Sequence, residues 1–416
     1  MFRALNHRNY RLFFYGQSIS LVGTWMERTA LSWLVYRLTD SALLLGVVGF
    51  SGQIATVVLA PFAGVIADRH HRHRLLLITQ VVAMGQAFII AFLVLTGSIQ
   101  VWQIIALSIG LGFINAFDIP VRQSFTSEMI DNPDDLGNAI ALNSSVVNGA
   151  RLIGPSIAGF LIATVGEGIC FLLNAFSFLG VIISLLKMRV PKRKLESRSK
   201  TKVWHELKEG FHYTFGSFPI RTILLLLSFV SLIAGGVQIL MPVFARDIFH
   251  GGAKMLGLLM GSTGLGSLFG AMYLARRKNS LGLGKVIVTA CCLFGVGMIG
   301  FVVSPSLWFS LVMLVLCGFG MIVQMASCNI VLQNMVEENK RGRVMSFYLM
   351  SFMGMASFGS LLGGSLAHHM RVTPLFIIGG ICLILVGGLF ALQLPRLREL
   401  VRPIYIKKGI ITEIIP

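Results

Sequence analysis

Long, unbroken apolar stretches alternate along the chain with short clusters of charge, glycine and proline. Runs such as 75–95 and 286–303 are continuous rather than alternating apolar and polar. They therefore read as membrane-crossing helices, not as strands of a transmembrane barrel. The punctuation predicts spans at 11–38, 42–67, 75–96, 101–127, 136–165 and 168–188 in the first half. In the second half it predicts 219–246, 254–275, 285–303, 306–335, 342–369 and 373–394. The chain then divides into a six-helix bundle over 1–188, a linker over 189–218, a second six-helix bundle over 219–394 and a tail over 395–416. Within the linker Trp204, Leu207, Phe211 and Phe215 recur at helical spacing, which predicts a short amphipathic helix on the membrane face.

Composition supports this class. Of the 416 residues 55% are apolar and 12% charged, too few charges to cover a water-exposed surface of that size. The apolar total is enough for about eleven or twelve spans of ~20 residues. The net charge of +18 would suit a nucleic-acid partner in a soluble protein. Here its distribution removes that need. With the N-terminus, the even-to-odd loops and the C-terminus on one side, 27 of the 35 Lys and Arg fall there and four fall opposite. The other four, Arg28, Arg122, Arg151 and Arg221, lie within or at the edge of spans. This asymmetry predicts cytoplasmic termini. The first span is too long for a signal h-region and no A-x-A site closes it, so the start reads as an uncleaved anchor. The six cysteines, all in apolar segments and without CxxC spacing, read as small buried hydrophobes rather than metal ligands or disulfides.

The halves match at an offset of about 205. Gly112-Phe113 falls on Gly318-Phe319, Gly137 on Gly342, and Gly154 to Gly159 on Gly359 to Gly364. Six spans per half make this a parallel repeat, which encloses a central cavity opened to each side in turn by rocking.

The loop after span two reads Gly64-Val-Ile-Ala-Asp68-Arg69-His-His-Arg72-His-Arg74. On this motif the chain resembles the major facilitator superfamily, whose pattern is G-x-x-x-D-R-x-x-R. The resemblance implies a gate in which Asp68 caps a neighbouring helix N-terminus and Arg69 and Arg72 pair with carboxylates. His71 replaces the usual second glycine. Span five carries Gly149-Ala-Arg151-Leu-Ile-Gly154-Pro155-Ser-Ile-Ala-Gly159, which resembles the antiporter motif of the superfamily's drug–proton exporters, with Ala158 in place of one glycine. Small residues there would let helices five and eight approach, and Pro155 would kink the helix. The segments at Asp118 to Phe125, Leu136 to Ser144 and Asn148 to Arg151, with Trp33 to Thr39, are similar to the transmembrane secretion effector branch. That branch includes enterobactin exporters and macrolide efflux proteins.

Charge inside the membrane is expensive and marks function by default. It is confined to the first half. Gln17, Ser20, Thr24, Glu27 and Arg28 form a stripe on span one; Asn115, Asp118 and Arg122 lie on span four; Ser144, Asn148 and Arg151 lie on span five. Glu27 and Arg151 fall near mid-membrane. Glu27 is thus the expected coupling-proton site, with Arg28 or Arg151 stabilising its ionised form or holding an anionic substrate. Gln17, Thr24 and Asn148 would join them, and Asp118 and Arg122 would belong to the gate. In the second half Gln238, Gln324, Ser327 and Asn334 are the main polar residues, and 14 of the 19 methionines follow Met188. One cavity wall would then be adaptable and apolar.

No Walker, HExxH, GxSxG or CxxC pattern occurs, so an ATP-driven pump, an enzyme and a metal site are not expected. The expectation is an all-α polytopic membrane protein of twelve helices in two parallel repeats, lacking a cofactor and residing as a monomer in a bacterial inner membrane. Its expected role is proton-coupled export of an amphipathic small molecule, a siderophore or a drug. A lysophospholipid flippase or an importer of the same fold is the alternative, and a receptor or intramembrane enzyme the different-class one.

Overall fold

The computed structural model describes residues 3–69, 71–189, 211–277 and 281–407, with the side chains of 60–69, 133, 338–339 and 407 excepted. The described residues are helical throughout their long elements and contain no strand. In sequence order these are α1 (Arg8–Thr39), α2 (Ala42–Arg69), α3 (Arg72–Leu95), α4 (Val101–Glu128), α5 (Leu136–Val165) and α6 (Glu167–Lys187). Then follow α7 (Phe218–Ile239), α8 (Gly252–Arg276), α9 (Leu283–Val303) and α10 (Leu307–Met335). The eleventh, α11, runs over Glu338–Leu349, a π turn Met350–Gly354 and Met355–His369; α12 is Val372–Lys407. Helices are forced by the apolar runs, because a spanning segment must satisfy its backbone hydrogen bonds internally.

Eleven of these segments are long and apolar enough to cross a membrane. The exception is α1, 32 residues long. Its polar stripe, which includes Gln17, Glu27 and Arg28, lowers its hydropathy without shortening it. Boundaries otherwise follow the sequence reading closely, with two differences. The last helix continues to Lys407 and carries Pro395 and Pro403 inside it, where the sequence suggested a stop at 394. Beyond Ile239, α7 gives way to a short helix Met241–Val243 and a π turn Phe244–Ile248. That turn re-aims Arg246 and Asp247.

Compactness separates two units that do not follow the halves of the sequence. The first comprises Met1–Ser197, Gly236–Gly264 and Ser360–Val372. It holds α1 to α6 with the end of α7, the first part of α8 and the end of α11. Its helices meet where glycines remove side chains. Gly16 on α1 lies against Gly180 and Ser184 of α6, and Gly112 on α4 against the Gly52 carbonyl of α2. At one end a cluster of Tyr10, Phe13, Leu76, Val121, Phe125 and Leu185 ties α1, α3, α4 and α6 together. Gly166, with φ of +87°, joins α5 to α6 through a single residue.

The second unit comprises Arg198–Gly235, Leu265–Gly359 and Thr373–Pro416. Gly320 packs α10 onto α9 at Ala290 and Phe294, and Gly295 meets Gly380 between α9 and α12. Ala290, Ile322 and Val323 form its buried cluster with Leu274 and Phe319 around them. Of the expected amphipathic stripe, Trp204 and Leu207 lie outside the described residues. Phe211 and Phe215 sit on a helical stretch, 4.5 Å apart, each about 6 Å from Phe347 of α11. Phe211 remains 53% exposed.

Candidate functional site

The polar residues of α1 divide between two faces. Adjacent helical residues point about 100° apart, so Glu27 and Arg28 diverge. Glu27 is 5% exposed and turns toward α6. There the Asn174 Nδ2 donates to Glu27 Oε2, and Glu27 Oε1 has no hydrogen-bond partner among the described residues. Asn174 is itself fully buried. Ser177 Oγ donates to its carbonyl at 2.7 Å and lies 3.2 Å from its Oδ1, which fixes the amide with its NH2 toward Glu27. Gly23 makes the niche: a Cβ there would stand 2.6 Å from Asn174 Oδ1.

Arg28 faces the α5 side. Its guanidinium lies 5.0 Å from the centre of the Trp25 ring, and that of Arg151 lies 4.8 Å from the same ring. The α1–α5 approach that permits this occurs at Gly154, where a Cβ would be 2.6 Å from Trp25 Cβ and 3.0 Å from the Val22 carbonyl. Arg151 is half-buried, about midway along α5. Arg28 is within electrostatic range of Glu27 and Arg122, and Arg151 of Arg28. Arg28 and Arg151 thus meet over Trp25, and the charge of Arg122 on α4 acts on Arg28.

Asp118 is buried on α4 and takes 3.0 Å and 2.6 Å hydrogen bonds from Thr79 and Gln80 of α3. Its other oxygen is 3.5 Å from Arg122 Nη2. Arg72 pairs with Glu128 at 2.8 Å; Glu128 ends α4 beside the start of α3, whereas Asp118 sits almost three turns farther along. The side chains of Gly64, Asp68 and Arg69 lie outside those described; their backbone belongs to α2.

The other predicted positions scatter. Gln17 is buried with its Oε1 unpartnered among the described residues, and Thr24 bonds back to the Ser20 carbonyl at 2.9 Å. Asn148 donates to the Ser144 carbonyl at 2.8 Å. In the motif of α5, Gly159 meets Gly257 of α8 and Pro155 offers its carbonyl to Gly257, but nothing lies within 4 Å of a Cβ at Gly149. Gly149 is not a packing glycine. Gln324 and Ser327 on α10 are almost fully buried, Asn334 is half-buried and Gln238 is exposed, so these four do not share one environment.

Sequence reasoning missed several residues. Asn174 gave no signal beyond one polar residue on an apolar helix. Trp25 did give one, its i, i+3 spacing to Arg28. A third group lies at the helix ends opposite the basic loops. Tyr36 Oη donates to the Asp247 carboxylate, and Arg246 pairs with Asp40 and sits 5.5 Å from the Tyr36 ring centre. Nearby, Arg37 pairs with Glu167, whose place in the first turn of α6 favours an anion.

A bundle of long apolar helices with a few charges inside it is the architecture of a multi-span membrane protein. Comparison with known proteins makes this specific: residues 1–402 match the transmembrane secretion effector family, and the chain belongs to it. Its homologues are transporters, not enzymes. It is 25% identical over 385 residues to the staphyloferrin A transporter of Staphylococcus aureus, covering 91% of this chain and 95% of that one. It is 25% identical over 389 residues to the multidrug efflux pump Tap of Mycolicibacterium fortuitum, covering 91% and 93%. Among solved structures, that of a POT family transporter in complex with a thioalcohol-conjugated peptide superposes with a TM-score of 0.73. It has 14% identity and covers 94% of this chain and 96% of that chain, which speaks to the fold.

Proposed function

We propose that this chain is a proton-coupled exporter of an amphipathic small molecule, a siderophore or a drug, working by alternating access as a monomer in a bacterial inner membrane. Its two six-helix repeats would rock about a central site, with both termini and the basic loops in the cytoplasm. The relatives support both substrate classes, one being named for staphyloferrin A and the other for multidrug efflux.

The observation that carries the coupling is the state of Glu27. It is a buried carboxyl on α1, one oxygen held by Asn174 and the other without a partner among the described residues. A carboxyl bonded on one side only can take up and release a proton without dismantling its surroundings. Gain and loss of that proton removes or restores one charge beside Arg28, which is what a coupling group must do. The gate would consist of Gly64, Asp68, Arg69 and Arg72 with Glu128, and Asp118 with Arg122. Gln17, Thr24 and Asn148 would line the route in the first half.

The test is complementation of a deletion strain under iron starvation, reading extracellular iron-chelating activity, intracellular metabolites and inhibitory concentrations of macrolides. The wild-type gene restores whichever of these the deletion changes, and Glu27→Gln does not. In proteoliposomes Glu27→Gln removes acceleration by an imposed pH gradient. Unchanged gradient-driven transport in Glu27→Gln removes Glu27 from the coupling role.

A further inference from the structure

We infer that Arg28, Trp25 and Arg151 form the docking point for a carboxylate-bearing, multiply anionic part of the transported molecule; the inference rests on the exporter reading and names its substrate class. Two guanidinium groups lie over one indole. Neither has a hydrogen bond or ion pair among the described residues. The acids of the first-half interior are otherwise engaged, Asp118 by Thr79, Gln80 and Arg122, and Glu27 by Asn174. Arg122 adds a third positive charge within range of Arg28.

Such an arrangement is costly as mere scaffolding. Cations midway along membrane helices are normally paired with each other's opposites or with backbone carbonyls. Here the repulsion of Arg28 and Arg151 is borne, and both lie over the same π face. That face orients them. A guanidinium that meets an indole by a cation–π contact spends no N–H hydrogen bond on it, and its N–H groups fit a carboxylate in bidentate fashion. Two such forks match two carboxylates better than one. The seat is rigid: Gly154 locks α5 against Trp25, so Arg151 is placed by backbone packing rather than by its own flexible chain.

The site is also separate from the coupling carboxyl. Glu27 faces α6, whereas Arg28 and Arg151 both lie over Trp25. Neighbouring positions on one helix then link them electrostatically.

The experiment uses the purified full chain in detergent and citrate as a tricarboxylate probe, with acetate and choline at matched ionic strength. Binding is read as ligand-dependent thermal stabilisation. Citrate stabilises the wild type, acetate does so at least about tenfold more weakly and choline not at all. Arg28→Gln and Arg151→Gln each weaken citrate binding by about tenfold or more, since each removes a charged hydrogen-bonding fork. Arg28→Lys and Arg151→Lys, which keep the charge and the fold, fall between. The inference is overturned if citrate gives no stabilisation, or if both Gln variants, shown folded by gel filtration, bind it as the wild type does. Glu27→Gln that binds citrate but responds to a pH gradient sinks the coupling reading alone.

Discussion

Two glycines of one motif on α5 should behave in opposite ways. A Cβ at Gly159 would stand 2.7 Å from the Ala253 carbonyl oxygen and 2.7 Å from Gly257 Cα, both backbone atoms of the facing chain. Neither can swing aside as a side chain would, so Gly159→Ala must push α8 away from α5. The neighbouring contacts move with it, because Gly257 and Gly261 seat against Pro155 and Ser156 along the same seam. Overpacking of this kind costs about 1–3 kcal/mol. At Gly149 nothing lies within 4 Å of an added Cβ. Gly149→Ala therefore has no steric penalty, and the mid-helix exchange of glycine for alanine stabilises by about 0.5–1 kcal/mol. Thermal unfolding can be followed with a thiol-reactive dye, because Cys170, Cys291, Cys317 and Cys328 are buried and report on opening. Gly159→Ala should lower the midpoint and Gly149→Ala should hold or raise it. Equal shifts in the two variants would refute the assignment of the seam to Gly159, as would a Gly159→Ala protein as stable as the wild type.

Two further outcomes follow from the helix ends. Tyr36→Phe removes the hydroxyl that binds Asp247 while keeping the ring under Arg246, so amide exchange at 244–250 should quicken while that of 218–239 stays unchanged; unaltered exchange at 244–250 would show that the hydroxyl link holds nothing. His7 lies 3.3 Å from Asp131 and 3.1 Å from Asp135, and chiefly the Asp135 hydrogen bond raises its pKa above the usual 6.5. A His with a raised folded-state pKa contributes stability that is complete below its unfolded value and is lost as pH climbs through the folded value. Exchange protection of residues 3–7 should thus fall as pH rises through and above 6.5, the His7→Gln protein should lack this dependence, and a parallel pH profile in both would exclude His7.

How much of the site could be read in advance varies with the kind of contact. Glu27, Arg28 and Arg151 stand out in one dimension because charge in an apolar run is rare. Their partners do not. Asn174 is 147 positions from Glu27, and only the rotation of α6 against α1, set where Gly16 and Gly23 bring the two helices together, puts the amide beside the carboxyl. Arg72 illustrates the same limit. Its motif implied a carboxylate partner without naming one, and the stagger of α3 against α4 brought Glu128 to it. Gly149 and Gly159 are equivalent as letters in a motif, and only the facing helix distinguishes them.

The sequence by itself determined the helices, nearly all their ends and the concentration of charge in α1, α4 and α5. It could do so because a membrane segment must satisfy its own backbone and bury no casual charge, and both demands are local. The tertiary structure decided which charges meet. It turned Glu27 to Asn174, laid Arg28 and Arg151 over Trp25, and linked Tyr36 to Asp247. Apart from the i, i+3 spacing of Trp25 and Arg28, those choices depend on helix rotation and stagger, fixed by small residues many positions away along the chain, and no local pattern encodes them.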